Sequence, residues 1–466
     1  MRDYVLLIVV LGLVPFILWR AWIGALAWTW IGLMNPHLYT WTLNTFPFAQ
    51  VIGIAFLLSW LVTRDKQMIP LTPGVVCLAV LVLFIVVKAP FAFYPDIAWD
   101  MTARFLKIVV IAFMIPTVIY SPHRVRWFLW TILFSIGVYY GVKGGLFSLA
   151  TGGNSQVQGP EPSFIGGNTH LGVALLMVVP MFTAFVRDKA SKWLKRGAIV
   201  GLWLTMLAIV FTYSRGAWLG LAAVSSLMYL QSRRKILIAM ILLPIGIAAT
   251  ALVPSKVFER AETISSDREE LDTSALARIQ AWGVATNIAL RHPLGAGYTV
   301  DSIPVDEWMQ YANFHHPGLF KAQAAHSIYF QMLGDHGFIG LILFLLLLAT
   351  TLMTLWRVRR QVRQDPERAW LGHYATALQI GLVGYLVAGA FVSLAGFDLL
   401  YTYVMLTAIL YREATRGMTL ARYGVTPRPL DPQPPVGRLG STGRVSEMGR
   451  PAGGGDASLP RPGSTR

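Results

Sequence analysis

Charge is scarce in this chain: of its 466 residues only 13% are Asp, Glu, Lys or Arg, while 55% are hydrophobic. A soluble globular domain carries about 25% charged residues, so that class is excluded. The only cysteine, Cys77, excludes an intramolecular disulfide. Neither a Walker loop nor a dinucleotide fingerprint occurs, which sets nucleotide-driven transport aside. The alternating pattern of barrel strands is missing, as is any internal repeat of the kind that marks a transporter's inverted halves. His315-His316 and His292 lack cysteine or carboxylate partners at metal-ligand spacing, so no metal is expected.

What is present is a succession of apolar runs, each about long enough to cross a hydrocarbon core of roughly 30 Å. They fall near 4–19, 21–34, 47–63, 73–88, 104–120, 126–142, 168–186, 197–213, 216–231, 236–253, 328–356, 372–394 and 398–411. In lipid each segment must satisfy its own backbone polar groups, so all of these are expected to be helices. Met1 to Arg20 is read as a retained first helix, because no small-residue cleavage site follows its apolar stretch. The fold class is therefore all-α, a polytopic membrane protein of about twelve transmembrane helices.

The formal net charge is +16. Its lysines and arginines cluster in short connectors rather than on a soluble face, so topology explains them better than nucleic acid does. Arg64/Lys66, Arg124/Arg126, Arg187 to Arg196, Arg233 to Lys235 and Arg357 to Arg368 form the basic set, assigned to the cytoplasm. The opposite loops are then external: 89–103, 143–167, the turn Ser214-Arg215-Gly216, the long loop 254–325 and the turn around Asp398. Thirteen crossings would leave Arg2 outside, so the short segment 21–34 is expected to be short or re-entrant, with both termini inside. Four regions follow: transmembrane helices in 1–253, an external loop region 254–325 of short helices, further transmembrane helices in 326–411, and a basic tail 412–466. Beyond Tyr411 the chain turns rich in Pro, Gly, Ser and Arg and cannot bury enough surface to fold.

Several polar side chains stand at the external boundary. His326 sits where the long loop meets a very apolar run, wet enough to exchange protons and close to lipid. Ser327 is a candidate N-cap, and Gly334, Gly337 and Gly340 permit close approach of a neighbour or ligand. Arg215 begins an apolar run and is costly there unless it snorkels or meets an anion. Arg278 and Trp282, four apart in a helical stretch, share one face. Arg104 and Lys107, a turn apart, are weaker phosphate candidates for which snorkelling serves equally well, and Asp398 is a further weaker candidate. His336 is read as structural.

Tyr213-Ser214-Arg215-Gly216-Ala217-Trp218, Arg278 to Trp282, His292-Pro293-Leu294-Gly295-Ala296-Gly297-Tyr298, and His326-Ser327 with Gly337 and Gly340 occur in this order on one expected membrane side. In this the sequence resembles the O-antigen ligase superfamily of bacterial inner-membrane glycosyltransferases, over roughly residues 1–411. The stretch Gly159 to Asn168 is similar to a branch named for O-glycosylation ligases, which tends to show Asp-Asn-Asn where this chain reads Gly167-Asn168-Thr169.

The resemblance implies a donor glycan on undecaprenyl pyrophosphate, a lipid A-core acceptor, and reaction at the periplasmic face of the inner membrane without a cofactor. The residues suit that chemistry. Arg215 and Arg278 would neutralise the pyrophosphate leaving group, and His326 would take the proton of the acceptor hydroxyl, with inversion at the anomeric carbon. An O-antigen polymerase or a protein O-oligosaccharyltransferase would use the same donor with another nucleophile. A lipid-linked oligosaccharide flippase or exporter is the alternative from another class, though it would be expected to carry charges mid-span.

Overall fold

A computed structural model of the chain describes residues 2–43, 45–188, 191–232, 235, 273–298, 300–314 and 320–422. Among these the chain is helical, and one isolated antiparallel bridge, Gly159 to Gly167, stands in place of any sheet. The helices are α1 (Arg2–Trp19), α2 (Ala21–Met34), α3 (Phe48–Val62), α4 (Pro73–Lys88), α5 (Pro95–Val118), α6 (Pro122–Ala150), α7 (Gly167–Arg187), α8 (Lys192–Val210), α9 (Arg215–Gln231), α10 (Thr273–Arg291), α11 (Val305–Met309), α12 (Ile328–Gln361), α13 (Ala369–Gly389) and α14 (Asp398–Arg422). Eight of them, α1, α4 to α8, α12 and α13, are long and apolar enough to cross a bilayer by length and composition. The expected span 236–253 lies outside the described residues, as do His315-His316 and positions 423–466. Every other expected span coincides with a helix.

Some boundaries differ from expectation. α6 continues to Ala150, into a stretch expected as loop, because Gly137, Gly141 and Gly145 let it lie directly against α8. A Cβ on Gly145 would stand 2.2 Å from the Leu204 carbonyl oxygen. Thr205 donates to the Gly137 carbonyl at 3.2 Å across the same seam. α14 continues past Tyr411 because Arg412 donates to the carbonyls of Pro116 (2.8 Å) and Ile119 (2.7 Å), which ties the helix to the end of α5.

The basic connectors do gather at one end. There Arg124 pairs with Asp65 at 2.6 Å, and Arg126 pairs with Asp188 at 2.9 Å while lying over the ring of Trp370. The start of α2 belongs to this end, since Arg124 faces the Trp22 ring. So do the ends of α1 and α3, because Ser59 donates to the Leu18 carbonyl and Trp60 to Thr117. α1 must then begin at the opposite end. Asp3 is held there by the backbone N–H groups of Trp41 (3.1 Å) and Thr42 (2.7 Å) and by the Thr42 hydroxyl (2.6 Å). The segment 21–34 is short, as expected, a 14-residue helix returning beside α1 and α3; the expectation of both termini on the basic side is corrected, since Asp3 and Arg412 lie at opposite ends.

α12 is broken. Gly337 adopts φ 65°, ψ −165°, which interrupts the helical ladder at the non-basic end. Freed carbonyls in such a position cost several kcal/mol each unless they find donors. They find them in the segment that follows α10: the N–H groups of Ala296 and Gly297 donate to Gly334 (2.8 Å) and Asp335 (2.6 Å), and Lys88 of α4 also donates to the Asp335 carbonyl at 2.6 Å. In return the Phe338 N–H donates to Pro293 at 3.1 Å. The approach is so close that a Cβ on Gly337 would lie 1.9 Å from the Pro293 oxygen. Around this junction a second, smaller apolar core forms from Val284, Ile288, Ala296, Val300, Ile303 and Trp308. The loop region thus builds real structure, although α10 is a 19-residue helix rather than a short one.

Gly337→Ala should therefore destabilise the protein by about 2–4 kcal/mol, from a clash and a left-handed φ together. Thermal unfolding in detergent reads this directly; an unchanged midpoint would show that the break is not held as described.

Candidate functional site

The site lies at the non-basic end, where α7, α9, α10 and α12 begin or pass. α10 runs beside the entry to α12: Trp282 donates from Nε1 to the Ala325 carbonyl at 2.8 Å and stacks on Phe330, centroids 4.9 Å apart and planes 9° apart. That contact fixes the backbone just before His326. His326 itself precedes the helix in the left-handed region, φ 47°. An ideal-helix rotation therefore does not relate it to His336, which is buried further along α12 with its ring edge-on to Tyr298 at 4.4 Å. Ser327 occupies the N-cap position as expected, but its side chain makes no capping bond and is buried instead.

His326 is exposed at the rim of the site, and its charge is governed by its neighbours. Lost hydration is the largest influence and lowers its pKa below the ordinary imidazole value; the Arg278 guanidinium lowers it further, and the Asp301 carboxylate acts the other way. These surroundings favour the neutral ring, the form that can accept a proton. Arg278, one turn before Trp282, is half-buried.

Two groups that sequence reasoning did not single out stand nearby. His170, near the start of α7, is close enough to feel the charges of both Glu161 and His326. Glu161 lies in the loop closed by the Gly159–Gly167 bridge, its carboxylate against Gly166, where a Cβ would stand 2.4 Å from Oε2. Glu161 falls inside the Gly159 to Asn168 stretch, so the signal was within reach, but its partner His170 becomes visible only in three dimensions.

Arg215 opens α9 and is exposed. Ser214 caps that helix by accepting from the Ala217 N–H at 3.3 Å, and Asn168 and Gln156 both donate to the Thr212 carbonyl. Gly172 of α7 abuts Ala217, where its Cβ would meet the methyl at 2.7 Å. The start of α9 is thereby locked to the start of α7 and to the His170 region. Arg215, Arg278 and His326 share one end of the bundle.

The weaker candidates lie on other helices. Arg104 and Lys107 are exposed on α5, while Phe105 between them packs edge-on to Tyr401 at 5.1 Å. Asp398 caps its own helix through the Leu399 N–H (2.8 Å) and faces a small cavity of about 40 Å³ with Trp28, Gly32 and Ile108. Among the described residues no group of three or more His, Cys, Asp or Glu is disposed to hold a metal ion.

Residues 200–345 match the family described as O-Antigen ligase. Within residues 200–345 the chain is similar to the O-antigen ligase superfamily. That ligase region runs from α8 into α12 and contains Arg215, Arg278 and His326, whereas Glu161 and His170 lie in residues 1–189, which match a family of unknown function. No curated protein matches the chain.

The local charges set a testable order. In an NMR titration His326 should ionise below pH 6.5; Arg278→Gln should raise that pKa by removing a repelling cation, and Asp301→Asn should lower it by removing an attracting anion. A value at or above 6.5, or no response to either variant, would contradict the assignment.

Proposed function

We propose that this protein, as a member of the O-antigen ligase superfamily, joins a glycan carried on undecaprenyl pyrophosphate to a sugar hydroxyl of lipid A-core, at the periplasmic face of the bacterial inner membrane. The observation that carries the reading is the placement of His326: an exposed imidazole beside Arg278, in surroundings that favour its neutral form, at the same end of the bundle as Arg215.

Each step asks for a group that the site offers. The acceptor oxygen attacks the anomeric carbon and gives its proton to His326, while the bond from that carbon to the phosphate oxygen breaks and undecaprenyl pyrophosphate leaves. Attack opposite the leaving group inverts the anomeric configuration. The departing diphosphate needs its charge neutralised more than it needs a proton, and planar guanidinium forks suit it. The Arg278 charge then serves twice, since together with the lost hydration it also favours the neutral form of His326. Arg215, His326 and Glu161 are all exposed and so can be reached from outside the bundle.

With purified donor and lipid A-core, His326→Ala should lower kcat by about 10²–10⁴, the usual worth of a general base. Arg215→Lys, which keeps the charge but loses the fork, should weaken donor binding and turnover together. Near wild-type ligation by His326→Ala would reject the base assignment. Offering a growing O-antigen or a periplasmic protein in place of lipid A-core separates ligase from polymerase and protein O-oligosaccharyltransferase, and movement of labelled donor across vesicles without joining would indicate a flippase.

A further inference from the structure

At the basic end, opposite the candidate active site, the last turns of α12 and the first turns of α13 enclose a cavity of about 440 Å³ lined by Trp356, Arg359, Arg360, Arg363, Gly372 and His373 among others. Three guanidinium groups within five residues would normally recruit carboxylates. Here, among the described residues, none of the three pairs with one. Arg359 donates to the neutral Gln379 at 2.6 Å, and Arg360 lies over the Trp356 ring at 4.7 Å. The nearby Asp365 is taken by Arg368 at 3.4 Å and by the N–H groups of Glu367 and Arg368. Asp188, which acts on His373, is bound by Arg126. His373 adds a buried Nδ1 with no hydrogen-bond partner. The cavity thus concentrates positive charge and unused donors around open space.

We propose that this cavity is a binding site for an anionic phosphate group, with the arginines as its forks and His373 as an additional donor. Guanidinium geometry matches phosphate oxygens two at a time, and Gly372 keeps the floor clear of a side chain. Trp356 is exposed beside the cavity at the end of a membrane-length helix, the depth at which indole rings meet lipid headgroups. An anionic phospholipid headgroup and a free phosphate ester present the same chemistry here, and the two sources separate by experiment.

The full-length protein in detergent is titrated separately with phosphatidylglycerol, phosphatidylcholine and inorganic phosphate, with bound molecules counted by native mass spectrometry and stability followed by thermal unfolding. Phosphatidylglycerol should be retained in preference to phosphatidylcholine. The Arg359→Gln, Arg363→Gln double variant should weaken retention about thirtyfold, at roughly fivefold per arginine at a membrane surface. The Arg360→Gln, Arg363→Gln variant changes only exposed side chains and guards against a folding defect, and Arg357→Gln, outside the cavity, should bind normally. Stabilisation by inorganic phosphate alone that these arginine variants abolish would support the site with a soluble ligand. Equal retention of the two lipids, with no phosphate effect, or unchanged binding in both double variants, would overturn it.

Discussion

A helix that breaks at the edge of a membrane must have its freed backbone groups taken up by something else, and in this protein that requirement organises the functional end. The turn Pro293 to Gly297 gives two N–H groups to α12 and receives one in return, and Lys88 adds a cationic donor from α4. Three distant parts of the chain are thereby tied to one point. The exchange works only because Gly295, Gly297 and Gly337 all take positive φ, and their lack of a Cβ lets backbone meet backbone. Since the loop region is pinned at 293–297, α10 is held alongside α12, and Trp282 can fix the peptide just before His326.

From that scaffold the electrostatics follow. His326, Arg278 and Asp301 come from three segments, the end of the loop, the second turn of α10 and the turn after it. His170 and Glu161 come from the first half of the chain, which joins the ligase region through contacts such as Gly172 with Ala217. The charged side chains at this end are exposed or half-buried, while tight glycine contacts, Gly337 with Pro293 and Gly172 with Ala217, hold the backbone around them.

The sequence made the helices legible because apolar length is a direct consequence of the bilayer, and it located the basic end because arginines and lysines there stay in water. His326 and Arg215 were visible as polar groups at the boundary of apolar runs, and Arg278 as a cation sharing a helical face with Trp282 in the external loop. Other features were not, for physical reasons. The purpose of His292 to Tyr298 depends on the break at Gly337, some forty positions on, and no local propensity announces such a partner. Lys88 reads as a helix-end lysine until the Asp335 carbonyl is seen beside it. The end from which α1 starts was misjudged, since it is settled by the contact of Asp3 with Trp41 and Thr42, which no local pattern announces. His170 and Glu161 were missed because neither spacing nor period links them to His326.

The most direct measurement is a structure of the protein in a lipid nanodisc with undecaprenyl pyrophosphate bound. The diphosphate should lie between Arg215 and Arg278, with His326 facing the side from which an acceptor would approach. A diphosphate bound at the basic end instead, or one that leaves Arg215 and Arg278 untouched, would contradict a transferase centred on His326.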